Sequence, residues 1–98
     1  MKDVKKIIDK NNTYMAVAPQ IVGNLSDWGY AYNFTDTKHK SPQDAESEGL
    51  EYFGHDDFFI GVFSGDKCVA VIVDGEKHTK DSDDFGEYVI GVNKELGI

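Results

Sequence analysis

The chain has 98 residues, 40% of them hydrophobic and 12% aromatic, with a net charge of −8 and one cysteine. That suffices for one folded domain over residues 1–98 and excludes disorder as the resting state. No apolar run approaches the roughly 20 residues of a membrane-spanning helix, and no apolar block of roughly 7–15 residues follows the initial lysines, so a secretory signal is not expected.

Cys68 stands alone, so no disulfide framework is available, which fits a reducing, cytoplasmic setting. All ten basic residues are lysine. The planar fork that grips phosphate or guanine is therefore missing. Residues 1–40 hold six lysines against four acids, whereas residues 41–98 hold four against fourteen. This balance disfavours direct nucleic-acid binding and adsorption to anionic lipid, and matches a basic protein partner.

Residues 2–11 have the pattern of a short amphipathic helix, with Val4, Ile7 and Ile8 on one side and lysines on the other. Residues 13–20 read as a strand that ends at Pro19 or runs along an edge there, because proline has no N–H to give a ladder. Ile21 and Val22 continue it weakly, and residues 23–27 form a turn.

Residues 28–35 alternate: Trp28, Tyr30, Tyr32 and Phe34 fall on one face of a strand, Gly29, Ala31 and Asn33 on the other. Such a face either packs as a buried aromatic layer or serves as an exposed recognition strip. After a polar loop over 36–40, Ser41 and Pro42 make a helix start, capping residue then N1, with Asp44 in the first turn. This helix runs to about Phe53, with Ala45, Gly49, Tyr52 and Phe53 inward. Asp44, Glu46, Glu48 and Glu51 make its outer face acidic, and Asp56 and Asp57 follow it.

Residues 58–74 read as a hairpin of two apolar strands around Gly65-Asp66, which fits a type II′ turn. That turn sets Ser64 against Lys67 and Phe63 against Cys68. Regular pairing then gives Gly61/Ala70 and Phe59/Ile72 on one face, with Val62/Val69, Ile60/Val71 and Phe58/Val73 on the other. Both faces are apolar, so the hairpin belongs inside a sheet covered on both sides. Residues 75–80 form a polar connection. Ser82 then caps a last helix with Asp83, Asp84 and Glu87 near its start and Phe85, Tyr88, Val89, Val92 and Leu96 inward; a strand over 88–92 competes with it.

The expected fold is α+β, in the order α-β-β-α-β-β-α, with helices packed on an antiparallel sheet of about four strands and the 58–74 hairpin at its centre.

The residues carry no catalytic, cofactor or metal signature. His39, His55 and His78 lack metal-ligand spacing, Cys68 lies mid-strand away from any cation, and no glycine loop is built to hold phosphate. The hairpin resembles the central strands of GNAT-type acyltransferases, in which a similar turn joins two apolar strands. That family requires a Q/R-x-x-G-x-G/A loop opening a helix after the hairpin to hold its cofactor. The segment here, Gly75-Glu76-Lys77-His78-Thr79-Lys80, has no such loop, and no membership is assigned.

The sequence thus points to a small acidic, non-enzymatic interaction domain for a basic or nucleic-acid-binding protein. An inhibitor, an immunity protein or a nucleic-acid mimic of phage or mobile-element origin has this profile. The expected contact residues are Trp28, Tyr30, Tyr32, Asp44, Glu46, Glu48, Glu51, Asp56, Asp57, Asp83, Asp84 and Glu87. Two alternatives stand beside it: a small-molecule-binding domain or minor enzyme with a pocket lined by Trp28, Tyr30, Tyr32 and His55, and a dimer or scaffold component joined at a sheet edge.

Overall fold

The computed structural model describes residues 12–98; the helix expected over 2–11 lies outside them. The described elements are β1 (Asn12–Asn24), β2 (Asp27–Phe34), α1 (Pro42–Phe53), β3 (Phe59–Ser64), β4 (Lys67–Val73), β5 (Glu76–His78) and α2 (Gly86–Glu95). They form one antiparallel sheet in the order β2-β1-β3-β4-β5. The α+β class holds, with five strands where about four were expected.

Alternation along the strands gives the sheet two apolar faces, and each takes one helix. On one face Ala16 and Ile60, with Tyr14, Phe58 and Ile72 beside them, receive Ala45 and Phe53 of α1. On the other, Met15, Val17, Tyr32, Phe59, Phe63, Cys68 and Val71 receive Val89 and Val92 of α2. Phe63, Val17, Val62, Val71 and Val92 are all less than 2% exposed. Burial of such side chains stabilises by roughly 1.5–3 kcal/mol each.

The α1 helix starts as its sequence dictates: Ser41 Oγ accepts Asp44 N–H at 3.2 Å, and Pro42 occupies the first turn. Gly49 brings it unusually near the sheet, since a Cβ there would lie 2.7 Å from both Ala16 Cβ and Phe58 Cζ. Tyr52, expected inward, is exposed.

The β3–β4 hairpin turns at Gly65-Asp66, with φ +64° at Gly65 and Ser64 opposite Lys67 as expected. Regular pairing lasts only to Phe63/Cys68. A β-bulge follows, so Val62 faces Ala70, Gly61 faces Val71 and Ile60 faces Ile72. The extra residue, Val69, reverses the parity of the remainder of β4. Val71 and Val73 therefore join Phe59 and Phe63 on the α2 face, and Ile72 joins Ile60 on the α1 face.

Three boundaries also differ from expectation. β1 runs through Pro19 to Asn24, pairing with β3 only as far as Val17 and with β2 beyond it. At Pro19 the β3 side of the strand is already open, so the missing N–H interrupts no ladder. Residues 18–24 and β2 thus form a two-stranded arm about 23 Å long. The expected polar connection after β4 contains β5, joined by a tight Asp74-Gly75 turn with both residues at positive φ. α2 begins at Gly86 and excludes the strand reading of 88–92. Ser82 does not cap it; its hydroxyl accepts Thr79 N–H at 2.9 Å inside the preceding turn. No helix among the described residues is long and apolar enough to cross a membrane.

Candidate interaction surface

The aromatic face of β2 is neither a buried layer nor an exposed strip; it changes from one to the other along the strand. Tyr32 is 9% exposed, Tyr30 37% and Trp28 58%. The cause is the position of α2, which covers the base of the arm and leaves its end uncovered. From the end of the arm inward, the rings touch in a chain. Trp28 meets Tyr30 edge-on at 5.9 Å, Tyr30 meets Tyr88 at 5.9 Å, and Tyr88 meets Phe85 at 5.7 Å. Phe85 meets His78 of β5 at 5.1 Å. Tyr88 also stacks on Phe59 at 4.6 Å, which ties the chain of rings to the core.

Burial pushes the Tyr32 hydroxyl up to about 12, reinforced by Tyr88 and Glu87 nearby. Tyr88 is raised as well, by burial first and then by Tyr30 and Glu87. Burial also pushes the Cys68 thiol up to about 11, so it stays protonated and unreactive on its strand.

Phe85 has the least expected backbone of the group. It precedes α2 at φ +64°, with no side-chain cap, and its ring remains partly exposed. A bulky side chain in the left-handed region costs of order 1–2 kcal/mol. The fold holds that conformation and presents the ring between His78 and Tyr88.

Three concavities lie near these rings and share lining residues. The first, about 430 Å³, is lined by Glu46, Asp56, Phe58, Phe59 and Asp74, among others. The second, about 260 Å³, shares Asp56, Phe58 and Phe59 with it and adds Asp57, Pro19, Phe85 and Tyr88. The third, also about 260 Å³, shares Phe85 and Tyr88 and adds Tyr30, Asp83, Asp84 and Glu87. The first lies against the α1 face and the third against the α2 face, with the second between them; this line of concavities, the trough, carries aromatic and carboxylate side chains along it. No lysine lines it among the described residues.

Of the residues expected to make contact, Tyr30, Glu46, Asp56, Asp57, Asp83, Asp84 and Glu87 line these concavities, Glu46 at one end and Tyr30, Asp83, Asp84 and Glu87 at the other. Asp44, Glu48 and Glu51 lie elsewhere on α1, around a separate hollow with His39. There Glu48 is paired with His39 Nε2 at 2.8 Å. Trp28 belongs to the end of the arm, beside Ile21 and Leu25, and Tyr32 to the core. His55 stacks on Phe53, at 6.0 Å, among the α1-face residues. The pocket of Trp28, Tyr30, Tyr32 and His55 is thus not assembled.

Asp74, Phe58 and Pro19 were not anticipated as trough residues, and Phe85 and Tyr88 were expected only as core. The Asp74-Gly75 turn was a readable signal for Asp74; the others reach the trough only through the strand order. Among the described residues, no three His, Cys, Asp or Glu side chains are grouped so as to hold a metal ion. Comparison with protein-family models, curated proteins and solved structures gave no match for this chain.

Proposed function

We propose that the chain is a non-enzymatic, cytoplasmic interaction domain that holds a basic, nucleic-acid-binding protein, as an inhibitor, immunity protein or nucleic-acid mimic does. The supporting observation is the trough. Seven carboxylates, those of Glu46, Asp56, Asp57, Asp74, Asp83, Asp84 and Glu87, line it beside aromatic rings, of which Tyr30 and Phe85 are exposed. Carboxylates in such an array attract lysine and arginine side chains that would otherwise meet phosphates. The rings add area for close contact at little entropic cost, and guanidinium and ammonium groups favour their faces.

The test uses the immobilised protein to capture partners from an extract of its source cell. A basic protein that elutes as NaCl rises and is displaced by duplex DNA supports the reading. Joint replacement of Asp56, Asp57, Asp83 and Asp84 by Asn abolishes that capture, and Phe85→Gly weakens it roughly tenfold while relieving the local backbone strain. Salt-insensitive capture, or full capture by the fourfold variant, defeats the proposal.

A further inference from the structure

The two edges of the sheet are built differently. β5, at one edge, is three residues long and reads Glu76-Lys77-His78. Short, charged edge strands resist pairing with another chain. β2, at the other edge, is eight residues long and carries one charge, Asp27, at its first position.

The register shows which main-chain groups β2 leaves open. Thr35 N–H donates to Ala16 carbonyl, and Thr35 lies in register with the β1–β2 ladder. By alternation, Trp28, Tyr30, Tyr32 and Phe34 direct their N–H and C=O groups away from β1. Among the described residues one side chain meets that edge: the Glu95 carboxylate accepts Tyr32 N–H at 3.3 Å. It stands where the carbonyl of a sixth strand would stand. Trp28 and Tyr30, farther along the arm, have no such guard among the described residues.

Charge decides what fits this edge. The protein carries −8, so two copies repel unless they meet through neutral surface. From residue 12 to residue 35 the only charged side chain is Asp27. A cationic partner is drawn to the trough and finds almost nothing to pair with along β2, whereas a second copy meets its least repulsive face there. The arm also leaves Ile21, Leu25 and Trp28 exposed beside that edge.

We infer that β2 pairs antiparallel with β2 of a second copy about a twofold axis, joining two five-stranded sheets into one, and that Glu95 restrains this pairing. A strand meeting its own copy in this way closes as a dimer and does not propagate. A register centred on Tyr30 sets Tyr30 against Tyr30 and Trp28 against Tyr32 of the other copy, which makes the two aromatic faces continuous. In that register Tyr32 N–H leaves Glu95 for a main-chain carbonyl, so the carboxylate and the second copy compete for one donor.

Sedimentation velocity over a wide concentration range, with circular dichroism to confirm folding, tests the inference. The wild-type protein shows a reversible monomer–dimer equilibrium. Glu95→Ala removes the competitor from both copies and tightens the dimer about 25-fold, about fivefold for each of two modest hydrogen bonds. Tyr30→Pro removes an outward N–H without touching the β1 ladder, and Trp28→Lys places a charge on the edge; each returns the protein to monomer. Monomer at every concentration in both wild type and Glu95→Ala overturns the inference, whatever else covers the edge. So does a dimer that both Tyr30→Pro and Trp28→Lys leave intact. Because partner capture is read separately, neither result bears on the trough.

Discussion

Tyr32 sits where the aromatic strand passes under α2, close enough that a Cβ on Gly91 would collide with its ring. The ring is buried and its hydroxyl is raised from the ordinary 10 to about 12. Folding therefore favours the protonated phenol. Below pH 10 both folded and unfolded chains hold the proton, and the contribution to stability is complete. Between about 10 and 12 the unfolded chain ionises first, so stability falls as pH rises. Cys68, raised from 9 to about 11, begins the same decline one pH unit earlier. The urea midpoint of the wild-type protein is expected to drop from pH 9 upward, and Tyr32→Phe to drop distinctly less between 10 and 12. Parallel curves for the two proteins would show that Tyr32 does not ionise differently on folding. The aromatic alternation of β2 was legible because its period is written in the residues. The exposure gradient along it was not, because that depends on where α2 ends.

At the scale of elements, α2 is held to the sheet by packing, by the Glu95 bond to Tyr32 N–H and by the Asn93 amide. Asn93 Oδ1 accepts Cys68 N–H at 2.7 Å, and Asn93 Nδ2 donates to Cys68 carbonyl at 2.9 Å. β5 pairs with β4 only over Val71–Val73, so Cys68 lies beyond its reach. The Asn93 amide supplies the donor and acceptor that a longer β5 would have provided. Asn93→Ala strands both main-chain groups in a half-buried site and is expected to cost about 2–3 kcal/mol. Asn33→Ala removes an exposed bond to Gln20 and serves as the control, with a loss below about 0.5 kcal/mol. Comparable urea midpoints for the two variants would remove Asn93 from this role.

The same scale shows what the residues disclosed about the fold. Gly65-Asp66 and Ser41-Pro42 gave a turn and a helix start because each needs particular residue types. The bulge at Val69 had no such mark: Val69 and Val71 have identical side chains, so a parity change between them leaves no chemical trace. Ser82 followed by two aspartates looked like a cap and serves a turn instead. The trough joins residues 46, 56–57, 74 and 83–87, which only the strand order brings together.

At the scale of the molecule, the charges act as one field. Among the described residues, ion pairs are confined to Lys38–Asp66, His39–Glu48 and His78–Glu76, and two of these need a protonated histidine. Among the described residues most carboxylates therefore have no cation paired with them. The Debye length falls from about 30 Å at 0.01 M salt to about 10 Å at 0.1 M, comparable with the width of this domain. Adding NaCl over that range is expected to stabilise the free protein, by of order 1 kcal/mol, and to raise its urea midpoint. A structure held by surface ion pairs would respond the other way. Binding of a basic partner should weaken over the same range, because the repulsion that salt screens in the free protein is the attraction it screens in the complex. Opposite signs for these two slopes, both reduced when Asp56, Asp57, Asp83 and Asp84 become Asn, would tie the stability cost and the binding function to the same carboxylates. A midpoint insensitive to salt would mean that the acidic surface is too well solvated to exert either effect.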